Sequence, residues 1–252
     1  IGMPAGTANG SITGSASFEV GFLVTRPIVF WDGGGDGSSW TSAANWSGDV
    51  VPGVNDDVVI GAAGNPVVTL AGSPASVHSL VVAGTLVLRG ASLSTSNGLN
   101  LTGTLRVEGL SGNVPTTING ALTTASTSVL QVLGTATTDA VLQVASGFVN
   151  LGIIELTSTA ANPLNGLATL RVVSGTLENA VGAFINLIDA QPNELRLVLV
   201  AELVNNGTVT GIGFFTRPVT NNGTMRLGSP TGASLVQSTF IQSTDGVLEV
   251  SI

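Results

Sequence analysis

Five aspartates, Asp32, Asp36, Asp49, Asp56 and Asp57, crowd a stretch that is otherwise rich in glycine, beginning Trp31-Asp32-Gly-Gly-Gly-Asp36-Gly. Carboxylates are what a hard cation selects: calcium takes roughly six to eight oxygens, and a loop of this kind supplies some from side chains and the rest from backbone carbonyls. Asp32, Asp36, Asp56 and Asp57 are therefore the candidate calcium ligands, and calcium is the only cofactor in view. The spacing lacks the full pattern of a calcium hand or of a nonapeptide calcium repeat. Aspartate in a turn also bonds its own backbone, and that corner role is the favoured expectation.

The same stretch holds all three tryptophans, Trp31, Trp40 and Trp46. Indole faces can stack on sugar rings, so one reading is a glycan-binding platform. The other is a hydrophobic plug whose ring N–H groups bond loop carbonyls. A stacked repeat needs a closing element at its end, which favours the plug.

Hydrolytic chemistry has less to work with. A glycosidase needs two carboxylates flanking one bond, yet beyond residue 66 the acids stand alone: Glu108, Asp139, Glu155, Glu178, Asp189, Glu194, Glu202, Asp245 and Glu249. The chain has no tyrosine, no lysine and one histidine, His78, set in a strand-like run and expected on the surface. No Gly-x-Ser-x-Gly elbow presents a serine nucleophile. The expectation is a non-enzymatic protein, with a polysaccharide hydrolase or lyase as the alternative class. Asn45, Asn100, Asn206 and Asn222 sit in Asn-x-Ser/Thr sequons, which matter only where a host glycosylates them.

The elements that would position these residues announce themselves by repetition. Short apolar strands return behind a glycine: Gly84-Thr-Leu-Val-Leu, Gly103-Thr-Leu-Arg-Val, Gly152-Ile-Ile-Glu-Leu, Gly223-Thr-Met-Arg-Leu and Gly246-Val-Leu-Glu-Val. Recurrence at roughly 15 to 25 residues, with two or three strands in each interval, is the mark of a parallel β-helix. Asparagines precede the later glycines, at Asn150, Asn179, Asn205 and Asn221. Asparagine tolerates left-handed backbone angles, so such a row would turn successive corners alike and stack its amides. The six Asn-Gly pairs also permit antiparallel hairpins, but the uneven spacing between strands weighs against a meander.

Composition agrees. Mean hydropathy is +0.49 with 43% apolar residues, yet no apolar run reaches the roughly 18 residues of a membrane helix. The apolar residues must be buried between strands, and 34 glycines suit turns rather than helices. Net charge is −8, and seven scattered arginines form no cationic cluster, which argues against nucleic acid and against an anionic membrane surface. Cysteine is absent, excluding disulfides and a Cys-ligated zinc.

Three segments follow. Residues 1–30 alternate small polar and apolar residues and are expected to be an N-terminal β segment, acting as a cap or as a strand exchanged between subunits. Residues 31–65 form the Trp/Gly/Asp-rich capping block. Residues 66–252 carry the repeats and finish on strand-like Gly246 to Ile252. An open strand edge there would invite pairing, so further coils of a longer chain or another copy are expected to cover it.

The block from Trp31 resembles the repeat-region openings of bacterial autotransporter-type and filamentous-haemagglutinin-like surface proteins: a tryptophan, a glycine-rich loop, a second tryptophan, Ala44-Asn45-Trp46, a Pro-Gly, and Asp56-Asp57 before a hydrophobic strand. The later Asn-x-Gly and Gly-Thr-Leu strands are similar to the same extracellular class, as is Thr239 to Ile252. The resemblance implies an all-β, right-handed parallel β-helix on a bacterial surface or in the extracellular matrix. Its expected work is structural, as an adhesin-like rod or filament subunit. Expected partners are copies of itself, with a glycan or another cell-surface ligand as the alternative.

Overall fold

The structure is a computed structural model that describes residues 26–160, 166–190, 197–228 and 232–251. Up to residue 25 the expected N-terminal segment lies outside these. Within them the regular structure is strand apart from one short 3-10 turn, Ala43–Asn45. Among the described residues no helix is long and apolar enough to cross a membrane.

The strands fall into three sheets in rotation. Val67–Ala71 enters one sheet, Pro74–Val77 a second and Ser79–Val82 a third; then Thr85–Arg89, Ser92–Thr95 and Leu99–Leu101 return to the same sheets in the same order. Each round of three stacks on the last as a tier, and every strand pairing is parallel. The Asn-Gly pairs at 97–98, 119–120, 206–207 and 222–223 therefore turn corners between sheets rather than close hairpins. The first sheet contains nine strands, ending with Val247–Val250. Parallel pairing is already present at Asp57–Ile60, which joins Ile28–Phe30 on one side and Ser79–Val82 on the other.

Alternation of side chains explains why these sequences pair. Inward positions are aliphatic and buried, and outward ones mix polar residues with exposed apolar ones such as Val67 and Phe184, the period expected of a strand with one covered face. In the first sheet the register stacks Val68, Leu86, Leu105, Leu130, Ile154, Ile185, Val209 and Met225 in one column, each no more than 1% exposed. Every tier thus fills the gap between its neighbours, and the core is a column of like side chains.

The leading glycines have a steric origin. A Cβ on Gly103 would lie 2.3 Å from the carbonyl oxygens of Ala83 and Gly84, and one on Gly223 would lie 2.2 Å from the oxygen of Gly207. At these corners the backbone approaches the preceding tier so closely that no side chain fits, and the glycine N–H donates to that tier: Gly103 to Val82 O at 2.9 Å, Gly223 to Asn205 O at 2.8 Å.

Midway the cross-section changes. Ala140–Asn150, Ala168–Asn179 and Leu197–Asn205 each run through the corner that earlier tiers turn between the second and third sheets. The register slips between Ser146 and Phe148, and again between Arg171 and Thr176. In both pairings the surplus lies on Ala168–Asn179, one residue against Ala140–Asn150 and three against Leu197–Asn205, so this strand bulges and bends without ending. Gly175 sits in the bend at φ +78°, a conformation that favours glycine. The third sheet ends at Leu122–Thr124, and Thr124 splices it to the tier beyond: its hydroxyl donates to Val149 O and accepts from Leu151 N–H, both at 2.9 Å. Two separate strands then reappear, Phe214–Phe215 and Val219–Asn221, both pairing with Leu197–Asn205.

Candidate functional site

The tryptophan block closes over the first strands of the sheets. Trp40 N–H donates to Thr69 O and Thr69 N–H to Ser38 O, so the segment around Ser39 extends the first sheet beyond Val67–Ala71. Trp31 and Trp46 face each other across an antiparallel bridge. Trp46 packs edge-on against both other indoles, with ring centroids 4.9 Å from Trp31 and 4.8 Å from Trp40, and its Nε1–H donates to Trp40 O at 2.7 Å. Trp46 is 0% and Trp40 1% exposed, and both belong to the main hydrophobic core. A sugar ring cannot reach a buried face, so the three indoles do not form the stacking platform considered from the sequence; Trp31 alone is partly exposed.

Asn45, fully buried, organises the glycine-rich loop. Its Oδ1 accepts from Gly35 and Gly37 N–H at 3.0 and 2.9 Å, while its Nδ2 donates to Asp36 Oδ1 at 2.7 Å and Ser39 O at 2.9 Å. The glycines let the loop wrap this amide: a Cβ on Gly35 would meet Ser42 Oγ at 2.8 Å. Asp36 is bound into the same knot. Backbone N–H of Ser39, the Asn45 amide and backbone N–H of Ser38 hold its carboxyl down at about 2, from an ordinary 3.8.

The other candidate calcium ligands have separate tasks. Asp32 accepts from Gly34 N–H at 3.0 Å and Asp56 from Gly53 N–H at 2.7 Å, each closing its own turn. Asp57 accepts from Ser79 Oγ and, at 2.7 Å, bonds His78 Nδ1; the Ser79 hydroxyl first and His78 second lower its pKa. Among the described residues no three acids or histidines gather where a cation could sit. Asp32, Asp36 and Asp56 are thus corner residues of separate turns, the favoured expectation, while Asp57 is a strand residue that ties its tier to Ser79 and His78.

Ser79, His78 and Asp57 invite comparison with a nucleophilic triad, but the order is wrong. The carboxylate stands between the serine and the imidazole, whereas a base must touch the hydroxyl that it deprotonates.

Two rows of side chains run along the stacked tiers. The inner row is a chain of amides: Asn150 Nδ2 donates to Asn179 Oδ1, Asn179 Nδ2 to Asn205 Oδ1 and Asn205 Nδ2 to Asn221 Oδ1, each at 2.8 Å, and Asn221 Nδ2 to Gln242 Oε1 at 3.0 Å. The four asparagines are 0% exposed. Second bonds tie the row to the backbone, as from Asn205 Nδ2 to Thr224 O at 3.1 Å and from Asn221 Nδ2 to Val247 O at 3.0 Å. The stacking matches the sequence reading but its backbone reason does not. Among the described residues the non-glycine positive φ angles are at Asp49, Asn65 and Asn113, and the row asparagines are ordinary strand ends.

The outer row was not anticipated. Asn222 Nδ2 donates to Asn206 Oδ1 at 2.9 Å, and Asn206 Nδ2 to Glu178 Oε1 at 3.0 Å. These three side chains form one wall of a trough of about 680 Å³ whose opposite side is the backbone at Gly147 and at the Gly175 bulge, with Val149 and Val204 between. The doubled Asn-Asn-Gly at 205–207 and 221–223 was the available signal: the first asparagine of each pair faces in and the second out. The sequons divide likewise. Asn45 is closed to any glycosyl transfer in the folded chain, whereas Asn100 and Asn222 are exposed.

No family model, curated protein or solved structure matches this chain.

Proposed function

We propose that the chain is a non-catalytic, rigid rod of the bacterial cell surface or extracellular matrix, in which the three sheets close into a right-handed parallel β-helix. Its work is to project and hold, as an adhesin-like stalk that also joins to copies of itself. The observation that carries this reading is the buried amide row from Asn150 to Asn221. A hydrogen bond inside a core cannot be exchanged for one to water, so each tier is fastened to the next by a contact that is costly to open. Such reinforcement suits a part whose task is stiffness. Right-handedness rests on the general bias of parallel crossovers and on the resemblance to surface β-helices.

Electron microscopy of the purified chain, with small-angle scattering, tests the reading. Expected are straight, uniform particles, about 4.8 Å longer per tier, associating end to end as concentration rises. Incubation with a polysaccharide panel should release no reducing ends. A compact globular particle, or cleavage of any polymer, would sink the proposal.

A further inference from the structure

We infer that the trough beside Glu178, Asn206 and Asn222 is a binding site for a neutral carbohydrate. This deepens the rod reading by naming what the rod holds, and rests on it only for the purpose of the contact.

Its shape comes from the fold. The Ala168–Asn179 strand bulges around Gly175, beside Gly147 of the neighbouring long strand, and the outward side chains after the bend line a depression of about 680 Å³. Small-ligand sites span roughly 300–1,000 Å³ and combine an apolar surface with a few placed polar groups. Here the apolar part is Val149, 42% exposed, with Val204 beside it. The polar part is the outer row.

The row's chemistry selects the ligand. A primary amide offers two donors and two acceptor lone pairs, and a carboxylate only acceptors. One Asn206 N–H is engaged by Glu178 Oε1 and one Asn222 N–H by Asn206 Oδ1. Glu178 Oε2 and Asn222 Oδ1 have no hydrogen-bond partner among the described residues, so acceptors and donors alternate along a single wall. Vicinal hydroxyls, each a donor and an acceptor, answer that alternation, while the C–H face of a pyranose covers the valines. No cation lines the trough, so Glu178 would repel phosphate, sulfate or uronate. An amine would satisfy Glu178 but leave the amide donors unanswered. The row crosses tiers about 4.8 Å apart, close to the length of one sugar ring, so a linear oligosaccharide can lie along the axis.

The test uses the chain made in a host that does not glycosylate asparagine, with immobilised neutral gluco-, manno- and galacto-oligosaccharides beside uronate and sulfated counterparts. At least one neutral series should be retained. Glu178→Ala should weaken it about tenfold or more, the loss expected for a charge-assisted hydrogen bond. Thr176→Trp, which fills the trough against the outer row and leaves the buried inner row in place, should abolish it, with circular dichroism verifying the fold of both variants. Overturning results are no retention at millimolar sugar, retention unaltered in the two variants, or retention of charged glycans alone. Retained sugar is then eluted and sized. Cleaved products with trough-dependent binding would support the site while refuting the non-catalytic rod; intact rods that bind nothing would do the reverse.

Discussion

Removing one amide from the inner row should loosen the structure locally and by a predictable amount. Asn205 is fully buried and makes three side-chain bonds, accepting from Asn179 and donating to Asn221 Oδ1 and to Thr224 O. At about 1 kcal/mol net for each bond, and a further 1 kcal/mol or so for the orphaned oxygen of Asn221, Asn205→Ala should cost about 4 kcal/mol. Asn206→Ala, one residue along but facing outward, should cost less than about 1 kcal/mol. Asn205→Asp adds a sign. A carboxylate there confronts two acceptors, so the introduced acid would be held protonated. Its penalty should therefore be largest at neutral pH and shrink as pH falls toward about 4. A tiered array opens by parts, so the measurement is native-state hydrogen exchange at the amides of Gly207 and Gly223, which donate to Asn179 O and Asn205 O. Faster exchange at these two, with strands near Leu86 unaffected, is expected. Equal costs for the Asn205 and Asn206 variants, or uniform acceleration along the chain, would refute the reasoning.

Three further outcomes are expected. Leu130→Ala opens a cavity in the middle of the first-sheet column and should destabilise by about 3 kcal/mol in urea unfolding followed by circular dichroism. Gly103→Ala should cost about 2 kcal/mol or more, because its methyl meets two carbonyl oxygens of the tier before it; a neutral result would contradict the steric account of the corner glycines. Asp36 has a depressed pKa, so its contribution is complete above about 4 and is lost as pH falls through about 2. Tryptophan fluorescence, which reports the adjacent indole cluster, should show a transition in that window that is absent in Asp36→Asn.

Particular residues show how much the sequence disclosed. Spaced glycines and alternating aliphatics sufficed for parallel tiers because both arise from the same cause, close contact between successive tiers, repeated at every turn. The asparagine row was visible for the same reason, though the amides are placed by strand ends and not by left-handed corners. The acids were legible only by type. Asp32, Asp36 and Asp56 close separate turns, as favoured from the sequence, but Asp57 bonds across tiers to Ser79 and His78, a distinction that residue type and spacing do not carry. The trough was invisible because it depends on a bulge, and nothing in Ser174-Gly175-Thr176 distinguishes a glycine that bends a strand from one that ends it. Asn45 was read as a sequon when its amide is the peg around which the glycine loop is wound.

The amide row also gives the molecule a sense of direction. Asn179, Asn205 and Asn221 each present the side-chain oxygen to the tier before and the nitrogen to the tier after. A duplicated tier spliced in head-to-tail would find both ends of its amide answered. One grafted in reverse would set nitrogen against nitrogen or oxygen against oxygen, so lengthening by design has one workable polarity.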